Sequence, residues 1–413
     1  MEFIPALSQS ILMTVRRLGL WYYGWNVLAL VVVLQALTVG LLVTSFSFWI
    51  EPWGEQFGVG RGEVLFIVTV FSLVVGFAGP VVGTFVDRYS KRWLTVTGLA
   101  ALALGLSLVS VVEAFWQIFT IYVVLMPLAM SLSGALMAQA LAVRWFPDRG
   151  GFAIGISALG TSLGGIVMPI VVAIFLEAGG WRLAHQYLAL LVLPFIPVTW
   201  LLLTPRMPDV PVKAEDDKNQ QAVVSAGEIV KSRSFWVLVL MFVPLYFSLA
   251  GFQYNLVPFL SDEGISTSMA ALVISAMSMT AMLSKLIFGW LMDRFAHRLV
   301  YGFAVLGMCT GFILAVTVSS MFMVLVVAFL GFFAGSILPL RGAAVLSQFG
   351  AAFYGRAVGL ITPFTMGAAS LGPLVVGFAR DNGSSYDLVF VAMALLILPG
   401  ILVSALLGSD KTD

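Results

Sequence analysis

The sequence is poor in most of what soluble chemistry needs. Cys309 is the one cysteine in 413 residues, so neither a disulfide framework nor a thiolate cluster for a metal can form. The two histidines, His185 and His297, are too few and too far apart to suggest a metal site. Charged residues make up 10% of the chain, against ~25% in an ordinary soluble domain. Lys and Arg number 21 and Asp and Glu 20, and a net charge of +1 gives a nucleic acid or other polyanion nothing to hold. No Gly-Lys-Ser follows a strand-like run, so no phosphate loop is expected, nor is a catalytic triad. The reading is therefore of a protein that is not an enzyme, with no cofactor, no metal and no nucleic-acid partner.

Hydrophobic residues are abundant, at 61%, with a mean hydropathy of +1.05. A helix needs about 20 mainly apolar residues to cross a bilayer. Twelve such runs occur: 24–50, 64–86, 93–112, 116–142, 152–176 and 185–204, then 234–260, 268–291, 299–318, 320–346, 357–379 and 388–407. They are continuous, without the short alternating segments of a β-barrel. The fold class expected is an all-α membrane protein of twelve transmembrane helices in two six-helix halves. The N-terminal half is 1–204 and the C-terminal half 234–413. A charged, initially Pro-rich linker, 205–233, joins them. The first run is too long for a cleaved signal, and Trp21, Tyr22, Tyr23 and Trp25 before it read as an interfacial aromatic belt. With the N-terminus placed inside, sixteen basic residues fall on cytoplasmic segments and three, Arg61, Arg182 and Arg380, outside. That bias places both termini in the cytoplasm.

The halves repeat. Gly83-Thr-Phe-Val-Asp87-Arg88-Tyr-Ser-Lys91-Arg92 closes the second run, and Gly289-Trp-Leu-Met-Asp293-Arg294-Phe-Ala-His297-Arg298 closes the eighth, 206 residues later. Gly permits close helix contact, while Asp followed by Arg can pair charges across a loop. These eight positions, Gly83, Asp87, Arg88, Arg92, Gly289, Asp293, Arg294 and Arg298, are expected to form a conformational latch. Arg149-Gly-Gly-Phe-Ala153-Ile-Gly155 before the fifth run is echoed by Arg356-Ala357-Val-Gly359 before the eleventh. Parallel six-helix repeats mark one large class of secondary transporters. Gly155, Gly160, Gly164 and Gly165 read as a helix-packing face.

All twenty carboxylates fall outside the twelve runs, whereas two cations, Lys285 and Arg341, fall inside. A charge at the centre of a spanning helix costs at least about 2.5–3.5 kcal/mol. Two embedded cations without an embedded acid call for an anion from elsewhere, and a substrate carboxylate is the simplest. Lys285 shares a small, polar helix face with Ser278, Ala281 and Gly289, which points it into the bundle. It lies eight residues before Asp293, about 12 Å along the axis, so reaching the membrane surface is the competing role. Tyr246 and Gln253 share a face seven residues apart. Gln35, Tyr122 and Asn255 are further polar candidates for substrate contact.

These motifs resemble the major facilitator superfamily, with Ser90 and Ala296 where its loop motif usually carries Gly. The resemblance extends to the monocarboxylate porter and oxalate/formate antiporter branch of bacterial type. Tyr22-Tyr23-Gly24-Trp25 is similar to that branch's start of helix one, and Glu55-Gln-Phe57-Gly58-Val-Gly-Arg61 to its first outer loop. Gly155-Ile-Ser-Ala-Leu-Gly160-Thr-Ser-Leu-Gly164-Gly165 is similar to its helix five, and Leu256-Val257-Pro258-Phe-Leu-Ser-Asp262-Glu-Gly264-Ile-Ser266 to its helix-seven end. The resemblance implies a substrate-binding cation at Lys285, where the family carries Arg. Ala281 stands where mammalian-type members carry an Asp, and no helix-one or helix-eleven Lys has a counterpart. It also implies that Asn255, before Leu-Val-Pro, is a contact. The expectation is a monomeric inner-membrane carrier for a small organic anion, with a proton or a counter-anion as coupling partner. An exporter of drugs or amphipathic compounds and a non-transporting anion receptor are the alternatives.

Overall fold

Hydrocarbon offers no hydrogen bonds, so each spanning segment must satisfy its own backbone. The computed structural model does this with helices throughout, and describes residues 22–146, 150–203 and 226–407; among these there is no strand. Twelve spanning helices follow in chain order. In the first half they are α1 (Gly24–Thr44), α2 (Arg61–Arg88), α3 (Lys91–Val109), α4 (Phe115–Trp145), α5 (150–178) and α6 (181–202). In the second they are α7 (Arg233–Asp262), α8 (Thr267–Arg294), α9 (His297–Thr317), α10 (Ser320–Gly350), α11 (Arg356–Asp381) and α12 (Tyr386–Ser404). α5 and α6 form one apolar run of membrane-spanning helix that breaks at Gly179 and Gly180, the latter at φ 74°. Only glycine takes that conformation without strain, so the turn between the two helices is set there.

The expected first span, 24–50, stops short. The helix widens to a π turn over Gly40–Thr44, tightens to a 3-10 turn over Phe46–Trp49 and continues as a short helix, Ile50–Phe57. The change of path carries Phe46 against Tyr122 of α4 and Tyr254 of α7. Most of the expected linker lies outside the described residues; its end forms a helix, Ala226–Lys231, leading into α7. Ser232, Ser266 and Ser385 cap α7, α8 and α12 by accepting from Phe235 N, Met269 N and Leu388 N.

The two repeats are built alike. In the first half, Gly160 and Gly164 of α5 lie against the backbone of Val32 and Ala36 in α1. In the second, Gly372 of α11 lies against Phe247 and Gly251 of α7. Van der Waals packing at such small-residue crossings drives helix association in lipid. Gly155, which shares the expected face, meets nothing and points into open space. Of the aromatic residues expected at the interface, Tyr22, Tyr23 and Trp25 pack on Trp145 and Phe146, with Tyr22 still 40% exposed, and Trp21 lies outside the described residues.

Gly164→Val should lower the unfolding temperature of the purified protein, with an overpacking cost of about 1–3 kcal/mol. Gly155→Val should leave that temperature nearly unchanged. Equal shifts in thermal unfolding would contradict this view of the α1–α5 crossing.

Candidate functional site

The halves meet along two seams, α2 with α11 and α5 with α8. The face opposite the Gly-Asp-Arg motifs, called the far face below, is held by charged groups. There Arg61, at the start of α2, reaches Asp262 at the end of α7 with both guanidinium nitrogens, at 2.9 and 2.7 Å. Such fork-to-carboxylate pairs are the stronger kind of ion pair. Arg380 of α11 shares the same carboxylate at 2.8 Å. Asp381 crosses back and caps α2, accepting from Arg61 N at 2.9 Å and Gly62 N at 2.7 Å. An anion is favoured at a helix N-terminus, where backbone N–H groups lack intrahelical partners. Deeper in the seam, Thr69 Oγ1 donates to Ser370 O at 2.7 Å. Toward the motif face the same two helices part around a cavity of about 320 Å³, walled by Ser72, Phe77, Gly359, Thr362 and Met366 among others.

A second cavity, of about 310 Å³, lies among α7, α8 and α10. Tyr246 and Gln253 come from α7, Ser278, Ala281 and Lys285 from α8, and Gly335 and Leu338 from α10. Lys285 thus faces this cavity along the small, polar stripe of α8. Its Nζ donates to Ser162 Oγ of α5 at 2.9 Å, and among the described residues no carboxylate pairs with it. Arg341 of α10 sits behind Tyr246, its guanidinium 5.4 Å from the ring centre, and donates to Thr365 Oγ1 at 3.4 Å. Tyr246 thus lines the cavity with Lys285 and carries Arg341 against its ring.

Three expected contacts lie elsewhere. Asn255 is fully buried, and its amide nitrogen donates to Gly251 O and Pro373 O, tying α7 to α11. Tyr122 is buried among Phe46 and Trp53, in an aromatic cluster that continues to Trp49, Trp181 and His185. Gln35 is buried on α1 beside Gly160. In this arrangement all three are buried between helices and none lines the cavity of Lys285. Sequence reasoning missed Ser162 and the Arg61–Asp262–Asp381 clamp. Ser162 carries no charge, and the clamp joins positions 201 and 320 residues apart.

The motif positions divide as well. Arg92 stacks on Trp200 at 3.7 Å, tying α3 to α6, and Arg298 donates to Leu407 O beyond α12, tying α9 to the end of the chain's last helix. Equivalent arginines of the two repeats thus brace equivalent places within their own halves. Arg294 lies over Trp290 of its own helix, Arg88 is exposed, and Gly289 has open space beside it. Gly83 and the Asp87 and Asp293 side chains lie outside the described residues, apart from their helical backbone.

The sequence matches the family model of the Major Facilitator Superfamily over residues 28–282 and 245–413. The chain belongs to the major facilitator superfamily. Three curated relatives show its range. The human monocarboxylate transporter 11 is 26% identical over 92% of this chain and 81% of its own length. The oxalate:formate antiporter of Oxalobacter formigenes is 25% identical over 62% of this chain and 60% of its own. The fujikurins efflux protein of Gibberella fujikuroi is 26% identical over 50% of this chain and 43% of its own. For these last two, the facilitator spans less than two thirds of its relative. A solved bacterial homologue of the human lysosomal transporter Spinster, in an inward-facing and occupied conformation, shares the fold at a TM-score of 0.70. It is 17% identical and covers 93% of this chain and 94% of its own.

Glu51, on the short far-face helix, also holds Arg61, at 3.1 Å. Burial pushes its carboxyl above the ordinary value; Asp262 and Glu55 add to this, and Ser261 and Arg61 oppose it. A raised carboxylate pKa means that the closed far face is favoured at low pH, and that this preference fades as pH rises through the raised value. Leu65 is fully buried on α2 against Gly377 of α11. With Cys309→Ala and Leu65→Cys as background, labelling of the introduced thiol by an impermeant reagent, corrected for the thiol's own ionisation, should quicken as pH rises. Glu51→Gln should flatten that slope, and an undiminished slope would contradict it. Asp262→Asn should raise the labelling rate on the order of ten-fold, the worth of a charge-assisted hydrogen bond.

Proposed function

We propose that this protein is a secondary carrier of a small organic anion, a monocarboxylate first among them. It moves the anion across the cytoplasmic (inner) membrane by alternating access, together with a proton or in exchange for a counter-anion. The observation that carries this reading is Lys285, an ammonium facing a mostly apolar cavity with a serine hydroxyl for partner and, among the described residues, no carboxylate. A substrate carboxylate supplies the missing charge. Tyr246 and Gln253 line the same cavity and orient the anion, and Arg341 adds positive potential from behind Tyr246.

The motif face is the cytoplasmic one on the positive-inside bias. On that reading the far-face clamp closes the outside, and the halves part inward. The substrate enters or leaves through the parted end, and the clamp must break for the outside to open. A proton can travel on the substrate's own carboxyl, so symport needs no buried acid in the protein. The monocarboxylate and oxalate:formate relatives support this substrate class. The apolar cavity walls and the fungal efflux relative favour the second reading, export of drugs or amphipathic compounds.

Proteoliposomes tested with lactate, pyruvate, oxalate and a cationic dye separate the two. Saturable uptake of one of the anions is expected. Dye export without anion uptake would give the second reading the site, and anion binding without flux would make the protein a receptor. Lys285→Ala should abolish anion uptake, and Lys285→Arg should keep much of it. Unimpaired uptake by Lys285→Ala would sink the proposal. At an anion concentration 100 times its Kd, the wild type should gain about 2.7 kcal/mol of stability in thermal unfolding, and Lys285→Ala almost none.

A further inference from the structure

The α5–α8 seam is a ladder of polar rungs between the two halves. Nearest the far face, Ser268 N donates to the Glu177 carboxylate at 3.0 Å. Next, Ser275 Oγ donates to Ile166 O at 2.6 Å. Gly165 and Ser278 then touch, and a Cβ at Gly165 would strike the serine hydroxyl. The rung nearest the motif face is Lys285 Nζ on Ser162 Oγ, at 2.9 Å. Of the three hydrogen-bonded rungs, this is the one whose donor lines the cavity, so a ligand can compete for it. Ser162 itself is buried at 6% exposure, whereas Tyr246 and Gln253 line the cavity with Lys285.

We infer that Ser162 is a positioning residue that stands in for the substrate's carboxylate on Lys285 while the cavity is empty. It yields the ammonium when a carboxylate arrives, and so turns occupancy into a loosened α5–α8 seam. This rests on the proposed role of Lys285. The exchange runs downhill because an ammonium bonds an ionised carboxylate more strongly than a neutral hydroxyl. Its cost is the bond given up, which tempers affinity. Its return is that the empty carrier is tied across the halves at a point which the loaded carrier has released. Ligand binding can shift a conformational equilibrium only through such a difference between states.

The test is equilibrium binding of lactate and its transport in proteoliposomes, with net uptake compared with lactate–lactate exchange. Ser162→Ala should bind lactate about three- to ten-fold more tightly, because Lys285 no longer has a hydroxyl to leave. It should also raise the rate of net uptake relative to exchange, because the empty carrier is no longer tied. Ser162→Thr keeps the hydroxyl and should restore wild-type values of both. If Ser162→Ala fails to insert, Ser162→Cys, a similar shape with a weaker acceptor, carries the same comparison. Unchanged affinity in Ser162→Ala overturns the inference, and so does weaker affinity, which would make Ser162 a substrate ligand. Should Lys285→Ala lose lactate binding while Ser162→Ala matches the wild type, this inference alone falls. If Lys285→Ala binds lactate normally, the role of Lys285 falls first.

Discussion

The cost of carrying a polar or charged group into hydrocarbon governs this structure. It makes every described spanning segment a helix, and it leaves the carboxylates outside the apolar runs of the sequence. It also makes the remaining embedded cations informative. Lys285 reaches across to the other half for a serine hydroxyl. Arg341 lies against the face of Tyr246 and a threonine hydroxyl. Among the described residues neither arrangement supplies a full negative charge, and the proposed anion is what would complete it.

The same cost shapes the ends of the molecule. At the far face, where water is near, charged groups can meet at little cost, and Arg61, Asp262, Arg380 and Asp381 do so across the two halves. Surface ion pairs commonly contribute little individually, and a forked Arg–carboxylate pair shared in a network is the exception. The value of the clamp also lies in position, since it must break for the halves to part on that side. Asp381 adds a bond to backbone rather than to a side chain, so the start of α2 is tied directly to the end of α11. Toward the motif face the arginines of the two repeats turn to their own halves instead, Arg92 to Trp200 and Arg298 to Leu407. Contacts that hold each half rigid and contacts that hold the halves together are thus placed at opposite ends.

Much of this was legible in the residues. Twelve apolar runs matched twelve helices, because length and hydropathy are what a bilayer selects. Gly160 and Gly164 signalled a helix crossing, and Lys285 signalled itself by being a charge in an apolar run. The limits have equally physical causes. The path after Thr44 bends although 24–50 is mainly apolar, and hydropathy cannot see a π turn. Asn255, Tyr122 and Gln35 were candidates for substrate contact but lie in helix packing. A helix that is apolar nearly all round gives no pattern to tell its cavity face from its packing face. The clamp and Ser162 depend on which distant helices touch, and in a single sequence nothing but the repeat bears on that.

The central claim is that an anion's carboxylate replaces Ser162 as the partner of Lys285. A structure of the protein with the anion that stabilises it most would test this directly. The account predicts a carboxylate oxygen within hydrogen-bonding distance of Lys285 Nζ, beside Tyr246 and Gln253, with the Ser162 bond broken. An anion bound elsewhere, with Lys285 still on Ser162, would contradict it.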